Sequence, residues 1–466
     1  MPTKIGMKKT GKKTFGWAFL LILTITVGFL LMMAISSYPI KTGDVAFGGH
    51  LRTEIFGLIV IFLIILLALL FILLLVIKKT NNQPSTIVIK SDIAEETKAS
   101  VDETTEAVER FCMLSGIDKK SNTYGHRVYE KGITLESFCE DFRNYAASQL
   151  SLYYDIDDIR RFVAGLAVSK LVILQGMSGT GKTSLAHAFG SFTDNPSTVI
   201  PVQPMWKERT DLIGYYNEFT KRFNESQLLI KMYEANYSGD VYITVLDEMN
   251  IARVEYYFAE FLSLLELPNA SERYIDVVSD KWETDPKQFI DGRIKLPENM
   301  WFIGTANNDD STFAISDKVY DRAMILNLDM KSERFAAPKT PRRAISADQF
   351  KVLADRAVKE FAVSRRNLSR LEELDKYLIE HFHITFGNRI MKQIKTYIPV
   401  YVACGGRELD ALDDILAKKV IRKLETQNPI YLRNSSEGLL AFIDELFGAD
   451  NMSLCKELVH RLQRNA

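Results

Sequence analysis

Two long apolar runs dominate the hydropathy pattern at the start of the chain. Residues 15–37 and 55–77 are each uncharged and longer than twenty residues, which is enough for an α-helix to cross a bilayer. A cleaved signal peptide is the alternative for the first run, but that run exceeds an ordinary signal core and a second run follows it. We therefore predict two N-terminal transmembrane helices.

Flanking charge orients this predicted membrane hairpin. Lysines are concentrated in the basic tail at residues 1–14 and follow the second run at Lys78 and Lys79, whereas the loop at residues 38–54 balances its charges. Positively charged flanks of membrane helices face the cytoplasm. The prediction is a two-pass membrane protein with both termini cytoplasmic and the short loop outside. Neither run contains an ionisable residue, which argues against transport.

Beyond these runs the pattern changes to alternating strand-like and helix-like stretches. Residues 78–110 are polar and acidic and predict a linker, and helical spacing in residues 111–155 predicts a helical element before the core. Within a core at residues 156–332 the alternation predicts an α/β fold, a parallel sheet with helices on both faces. Residues 333–466 have helical spacing and predict an all-helical domain. The stretches in the core are Ser197–Gln203, Gln227–Glu234, Val241–Leu246, Glu255–Glu266, Met300–Thr305 and Met324–Leu328.

A glycine-rich loop follows the first predicted strand of the core. The sequence GMSGTGKT directly follows the apolar run Leu171–Leu174, which has the length of a buried strand. In this pattern backbone N–H groups surround phosphates, Lys182 neutralises their charge and the Thr183 hydroxyl binds Mg²⁺. The loop therefore predicts a nucleoside triphosphate and Mg²⁺ as ligands. The predicted nucleotide-binding residues here are Gly176, Met177, Ser178, Gly179, Thr180, Gly181, Lys182, Thr183 and Ser184.

An acidic pair ends the predicted strand Val241–Leu246. Asp247 and Glu248 would lie at the carboxyl edge of the sheet, where open α/β folds bind their ligands. Asp247 is predicted to hold Mg²⁺ through water, and Glu248 to orient the attacking water. Acidic loops are common, so the pair gains its meaning from following the glycine-rich loop in the order that this fold requires.

Composition removes some classes of function. The chain has 58 Lys and Arg against 59 Asp and Glu, a net charge of -1, which disfavours a protein built mainly on attraction to nucleic-acid phosphates. We find no recognisable DNA-reading module, so nucleic acid is an unsupported partner. The four cysteines lie far apart without metal-ligand spacing and are predicted to be reduced thiols.

Five motifs occur in order between about Ile133 and the carboxyl end. They are GMSGTGKTSL, PVQPMWKERTDLIGYYN, VLDEMNIARVEYYFAEFLSLLE, LPENMWFIGTANNDDSTFAISDKVYDRA and FGNRIMKQI. Together they resemble the AAA+ ATPases, within the dynein-related branch of the McrB-type restriction motors and, more distantly, the MoxR-type chaperones. The resemblance implies a P-loop NTPase core with a C-terminal helical lid, ATP or GTP with Mg²⁺, and a homo-oligomeric ring, expected to be a hexamer.

The resemblance also implies roles for single residues. Asn307 matches the polar sensor that contacts the γ-phosphate and the lytic water. Arg322 matches an arginine finger that reaches the neighbouring subunit's nucleotide, and a locally ion-paired arginine is the alternative. Arg389 matches the second sensor, on a lid helix that closes over the nucleotide. Asp309 and Asp310 fall where related sequences carry acidic residues near the nucleotide.

Two further segments have roles that the sequence leaves open. Related proteins direct the first toward the ring's pore or the subunit interface, and core packing is the alternative for its aromatic residues. The second, Leu267–Pro297, is an insertion with a hairpin predicted around Asp291 and Gly292, and related ATPases use such insertions to reshape the ring. The residues of interest in the first segment are Trp206, Arg209, Asp211, Tyr215 and Tyr216.

These observations predict a membrane-anchored AAA+ ATPase that assembles into a ring and uses ATP hydrolysis to remodel an unidentified protein partner. Glu248, Asn307 and Arg322 are its predicted catalytic residues. One alternative is a McrB-like GTP- or ATP-driven motor of a restriction or phage-defence system with a separately encoded nuclease or effector. Two others are a membrane effector activated by nucleotide-driven oligomerisation and a MoxR-like chaperone for a membrane or secreted complex.

Overall fold

The computed structural model describes residues 109–124, 127–307, 312–329 and 332–465. Both predicted membrane runs, the basic tail and the predicted linker up to residue 108 lie outside the described residues. Within the part of the chain that is described, no helix is long and apolar enough to cross a membrane.

A five-stranded parallel sheet is the centre of the described structure. The strands are β1 (Leu171–Gln175), β2 (Thr198–Pro201), β3 (Gly214–Asn217), β4 (Arg222–Glu225), β5 (Tyr242–Asp247), β6 (Tyr274–Asp276), β7 (Arg293–Lys295), β8 (Met300–Ala306) and β9 (Met324–Asn327). The sheet has the order β2-β5-β8-β1-β9, and each neighbouring pair is parallel. β3 with β4 and β6 with β7 form two separate antiparallel hairpins.

Helices connect the strands and then continue to the carboxyl end. In the N-terminal half they are α1 (Cys112–Lys119), α2 (Leu135–Leu150), α3 (Ile156–Val168), α4 (Lys182–Phe192), α5 (Arg209–Ile213), α6 (Gln227–Ala235), α7 (Val254–Tyr257) and α8 (Ala259–Glu266). They are followed by α9 (Asp317–Tyr320), α10 (Ala347–Glu360), α11 (Arg365–Phe382), α12 (Asn388–Ala403), α13 (Glu408–Lys419), α14 (Pro429–Phe447) and α15 (Ser453–Asn465). The helical domain predicted after the sheet is therefore confirmed as a C-terminal helical region.

Alternate residues of β1 face two separate hydrophobic cores, one on each side of the sheet. Val172 and Leu174 belong to the core formed with α2, α3, α4 and the C-terminal helices. Leu171 and Ile173 belong to the core formed with α6, α8 and the insertion. All four side chains are fully buried, as expected for a strand covered on both faces. The predicted α/β fold, with helices on both faces of a parallel sheet, is confirmed.

The structure divides the predicted helix Glu255–Glu266. Its first part is α7 and its second is α8, and Phe258 lies between them. The Phe258 ring packs 5.2 Å from the ring of Phe302 on β8, measured between centroids. Because the aromatic side chain is fully buried against the sheet, the backbone turns at this residue, a packing constraint that helical spacing does not reveal.

The first described residues pack into the domain. Arg110, which the sequence placed at the end of a polar linker, is only 2% exposed. Its Nε and Nη2 donate to the Asp285 carboxylate at 2.7 Å each, and its Nη1 donates to Asp280 at 2.9 Å. The guanidinium also lies 4.5 Å from the centre of the Trp282 ring. Three residues of the insertion therefore bury this arginine.

The insertion forms a hairpin, and the connection between its two strands contains more residues than the predicted turn at Asp291 and Gly292. β6 and β7 pair antiparallel, and residues 277–292 connect them. Asp291 and Gly292 form a tight turn with φ of 49° and 75°, closed by reciprocal hydrogen bonds between Ile290 and Arg293. These two positive φ values fit the type I′ turn that an Asp-Gly pair favours.

Candidate functional site

The glycine-rich loop connects the carboxyl end of β1 to the first turn of α4. Gly176, Gly179 and Gly181 have φ of 148°, 80° and 93°, values that L-residues with a side chain rarely adopt. A Cβ on Gly176 would lie 2.3 Å from the carbonyl oxygen of Leu328, so this position admits no side chain. The loop therefore directs its N–H groups and the amino end of a helix to one place, an arrangement that binds anions.

Lys182 and Tyr154 hold this loop from two sides. The Lys182 side chain is buried, and its Nζ donates to the carbonyls of Gly176 at 2.9 Å and Met177 at 2.7 Å. The Tyr154 hydroxyl donates to the Gly181 carbonyl at 3.1 Å, and burial raises the pKa of that hydroxyl above its usual value, so it remains a donor at neutral pH. The lysine ammonium is thus placed inside the turn.

The remaining loop residues complete the turn around Lys182. Thr180 Oγ1 donates to the Met177 carbonyl at 3.0 Å, and the Met177 side chain is 64% exposed. Ser178 lies at the tip of the loop, and Ser184 lies in the first turn of α4. The structure therefore brings all nine predicted residues of the loop together.

A hydroxyl and a carboxylate meet beside the loop in a geometry suited to Mg²⁺. Thr183 Oγ1 donates to Asp247 Oδ1 at 2.7 Å, and Thr305 Oγ1 donates to the same oxygen at 2.9 Å. Mg²⁺ prefers oxygen ligands and is usually held by one or two carboxylates together with substrate phosphates and water. The donor set at this position, one hydroxyl and one carboxylate next to a phosphate-binding turn, therefore fits the ion.

Glu248 has an unusual backbone for a glutamate. Its φ of 52° and ψ of 46° lie in the left-handed region, which costs about 1–2 kcal/mol for a residue with a Cβ. The Glu248 N–H donates to Thr305 Oγ1 at 2.8 Å, and its side chain is exposed. Strained positions of this kind are concentrated in functional sites. Here the strain projects a carboxylate at the carboxyl edge, beside Asp247.

Asn307 follows β8 directly and is held through its backbone. Asn250, which is 4% exposed, donates from Nδ2 to the Asn307 carbonyl at 2.9 Å and accepts from the Asn307 N–H at 3.3 Å. The structure therefore places Asn307 at the same edge of the sheet as the glycine-rich loop and the acidic pair. Asp309 and Asp310 lie outside the described residues.

Arg322 and Arg389 meet at a different place. An Nη2 of Arg322 lies 3.0 Å from Glu266 Oε2, and an Nη2 of Arg389 lies 2.5 Å from Glu266 Oε1. The carbonyl of Arg322 accepts from Ser169 Oγ at 2.8 Å, and Ser169 precedes the amino end of β1. The backbone of Arg322 is thus at the amino edge of the sheet, opposite the edge that carries the glycine-rich loop.

The segment with open roles is partly packed and partly exposed. Trp206 packs against Tyr257 with 5.6 Å between ring centroids, and Arg209 pairs with Glu260 at 3.0 Å. Asp211 accepts hydrogen bonds from the N–H groups of the two residues that precede α5. The β3–β4 hairpin then carries the two tyrosines. Tyr216 contacts the ring of Trp282, whereas Tyr215 is 56% exposed.

Comparison with known families separates the described chain into two parts. Residues 171–323 match the AAA domain of the dynein-related subfamily, a range that contains the loop, the acidic pair, Asn307 and Arg322. Residues 171–323 form an AAA domain. Residues 341–466 match DUF8727, a domain of unknown function, so Arg389 belongs to this second part.

Two solved structures show a distant resemblance to the chain. A crystallised protein from Cytophaga hutchinsonii, assigned as an ATPase, is 14% identical with a TM-score of 0.42, over 66% of this chain and 89% of that one. A full-length MCM homolog from Methanopyrus kandleri is 12% identical with a TM-score of 0.35, over 62% and 61% of the two chains. No curated protein gives a significant match.

Four residues of the site were not predicted from the sequence. Tyr154 supports the loop of the AAA domain, Thr305 connects Asp247 to the Glu248 backbone, Asn250 holds Asn307, and Glu266 pairs with both arginines. Thr305 and Asn250 lie inside motifs that the sequence singled out, so their proximity to the acidic pair was a usable signal. Tyr154 and Glu266 act across the fold, and no local pattern identifies them.

Proposed function

We propose that the chain is a membrane-anchored ATPase that works as a ring of identical subunits, expected to be a hexamer, and remodels a protein partner. One observation carries this proposal. The groups suited to triphosphate and Mg²⁺ lie at the carboxyl edge of the sheet, whereas Arg322 lies at the amino edge. Each subunit therefore supplies two half-sites, which are completed by neighbours on either side.

The length of β1 separates the two half-sites. This strand has five residues, about 17 Å at roughly 3.3 Å per residue. An arginine side chain is much shorter than this, so Arg322 is out of reach of phosphates held by its own loop. We therefore assign Arg322 to the nucleotide of the neighbouring subunit, where its charge would stabilise the transferred phosphoryl group.

We assign roles at the carboxyl edge from the resemblance together with the positions of these residues. The loop N–H groups and Lys182 would bind the phosphates, Glu248 would orient the attacking water and Asn307 would contact the γ-phosphate. Thr183 and Asp247 would hold Mg²⁺, which supplies charge neutralisation on the β- and γ-phosphate oxygens. ATP is the expected nucleotide, and turnover should be measured with both ATP and GTP.

Arg389 receives a revised role in this proposal. The resemblance implies a second sensor on a lid helix that closes over the nucleotide, and in the structure Arg389 shares Glu266 with Arg322. Both guanidiniums therefore contact the same carboxylate. We assign both arginines to the neighbour's nucleotide.

The β3–β4 hairpin supports a polypeptide as the partner. Phe219 at its tip is 99% exposed, and Tyr215 is 56% exposed. Exposed aromatic side chains offer large apolar contact area to an unstructured chain. Anchoring by the apolar runs at residues 15–37 and 55–77 would tether such a remodeller, of the McrB-like or MoxR-related kind, to the cytoplasmic face of a membrane.

Mixing two inactive variants tests the shared site. Detergent-solubilised full-length Glu248→Gln and Arg322→Ala should each lose turnover by about 1,000-fold. Mixed in equal amounts, they should regain about a quarter of wild-type turnover, because one interface in four pairs an intact Glu248 with a neighbour's intact Arg322.

The matched control replaces an exposed arginine outside both half-sites. Arg356 on α10 is 69% exposed and pairs with Glu360 on its own helix, so Arg356→Ala should retain wild-type turnover. Mixed variants that stay inactive although size measurements show a mixed ring would refute the shared site. Full turnover in Arg322→Ala alone would do the same.

A further inference from the structure

Glu266, the last residue of α8, uses its two carboxylate oxygens on two different arginines. Oε2 pairs with Arg322 at 3.0 Å and Oε1 pairs with Arg389 at 2.5 Å. Arg322 belongs to the AAA domain and Arg389 to α12 of the C-terminal region. Glu266 therefore contacts both parts at the arginine half-site.

The backbone around Arg322 is fixed independently of this bridge. The Lys419 ammonium donates to the carbonyls of Tyr320 and Ala323, on either side of the arginine, and Gln393 Nε2 donates to the Asp321 carbonyl at 3.1 Å. The main chain that carries Arg322 is thus held by α12 and α13. These contacts fix the backbone of Arg322 but do not fix the direction of its side chain.

Glu266 is the group that sets this direction. The Arg322 Nε is buried and has no hydrogen-bond partner among the described residues, so the ion pair through Nη2 is the directional contact of the guanidinium. Two guanidiniums placed side by side repel each other unless an anion lies between them. One carboxylate shared by two arginines leaves a net charge of +1, still attractive to phosphate.

We propose that Glu266 is a positioning residue that presents Arg322 and Arg389 as a pair to the triphosphate of the neighbouring subunit. This inference rests on the proposed ATPase function. Its chemical consequence is that the two arginines act as one unit, since each is oriented by the same carboxylate. Glu266 itself takes no part in bond making or breaking.

Turnover kinetics of Glu266→Gln test this role in the assembled full-length protein. The amide keeps the size of the side chain but loses the charge that attracts both guanidiniums. We expect kcat to fall roughly 10- to 100-fold, as for other small misplacements of a catalytic group, with KM for ATP changed less than about threefold because the binding loop is untouched. Glu266→Asp should recover part of the loss.

A double-mutant cycle separates positioning from a general structural effect. If Glu266 and Arg389 act through one bridge, Glu266→Gln combined with Arg389→Ala should be no worse than the more damaging single change. Effects that multiply would overturn the pairing. A large fall in the unfolding temperature of Glu266→Gln that accompanies the fall in kcat would also overturn it, since that result indicates a purely structural residue.

The control and the parent measurements keep the two proposals apart. Glu272→Gln, at an exposed glutamate in the nearby insertion, should match the wild type. Wild-type turnover no higher than that of Glu248→Gln would refute the ATPase function and this inference together. If the wild type hydrolyses ATP and Glu266→Gln has the same turnover, the role of Glu266 alone is refuted.

Discussion

The two edges of the central sheet present positively charged groups by different means. At the carboxyl edge, backbone N–H groups, a helix terminus and one lysine converge within a single turn, supported by short hydrogen bonds such as Thr183 to Asp247 at 2.7 Å. At the amino edge, two long arginine side chains share one glutamate. The first arrangement is rigid because the backbone builds it. The second is built from side chains and depends on how they are oriented.

The largest expected effect breaks the carboxyl edge alone. Lys182→Ala removes the ammonium that the turn holds in place. Because the ammonium would form charged hydrogen bonds to the phosphates, we expect ATP affinity to fall about 100-fold. Calorimetry or a fluorescent ATP analogue measures the loss. Arg322→Ala should leave affinity in the isolated subunit within about threefold of the wild type.

That pair of variants is a direct test of the difference between the edges. An Arg322→Ala subunit that bound ATP as poorly as Lys182→Ala would mean that the arginine serves its own subunit's nucleotide. The separation of the half-sites along β1 would then have no functional meaning. Both variants should remain folded, since neither residue is part of the hydrophobic cores.

An intermediate effect is expected at Thr305. Its hydroxyl donates to Asp247 and accepts from the Glu248 N–H, so Thr305→Val leaves that partly buried N–H without this partner. Such a loss costs about 1–3 kcal/mol, and we expect turnover to fall roughly tenfold or more with little change in ATP affinity. Thr305→Ser retains the hydroxyl and should retain turnover. Equal turnover in the two variants would contradict the role of the hydroxyl.

Local sequence was sufficient to predict the carboxyl edge. The loop and the acidic pair each follow a strand whose apolar residues are contiguous. A short stretch of sequence therefore identifies both the strand and the site residues that follow its carboxyl end. The parallel sheet was predictable for the same reason, because each strand such as β1 or β5 appears as a separate apolar stretch between helical ones. Thr305 was missed because its contacts depend on the register between β5 and β8.

Sequence was less informative wherever charged residues meet across the fold. Arg110 lies in a polar stretch, and its burial depends on Asp280 and Asp285, which are at least 170 residues away. Glu266 ends a helix that reads as an ordinary amphipathic segment, and its two partners come from different domains. A charged residue that will be buried has the same local pattern as a solvated one, so only the tertiary structure distinguishes them.

The smallest expected effect concerns the support of the amino edge by Lys419. Burial lowers the pKa of this ammonium from 10.5 to about 7, although it donates to the Tyr320 and Ala323 carbonyls. Above pH 7 the folded protein has released this proton while the unfolded chain still binds it, so the free energy of unfolding should rise with pH. The charge penalty is fully present below pH 7 and disappears as pH approaches 10.5.

Chemical denaturation from pH 6 to pH 9 measures this contribution by comparison with Lys419→Met. The stability of the wild type relative to this variant should increase by about 1 kcal/mol between pH 7 and pH 8. Lys359→Met, at an exposed position on α10, controls for the loss of a lysine and should show a constant difference. A constant difference for Lys419→Met as well would mean that its ammonium is charged throughout, and that the amino edge is held by a permanent charge like those of its arginines.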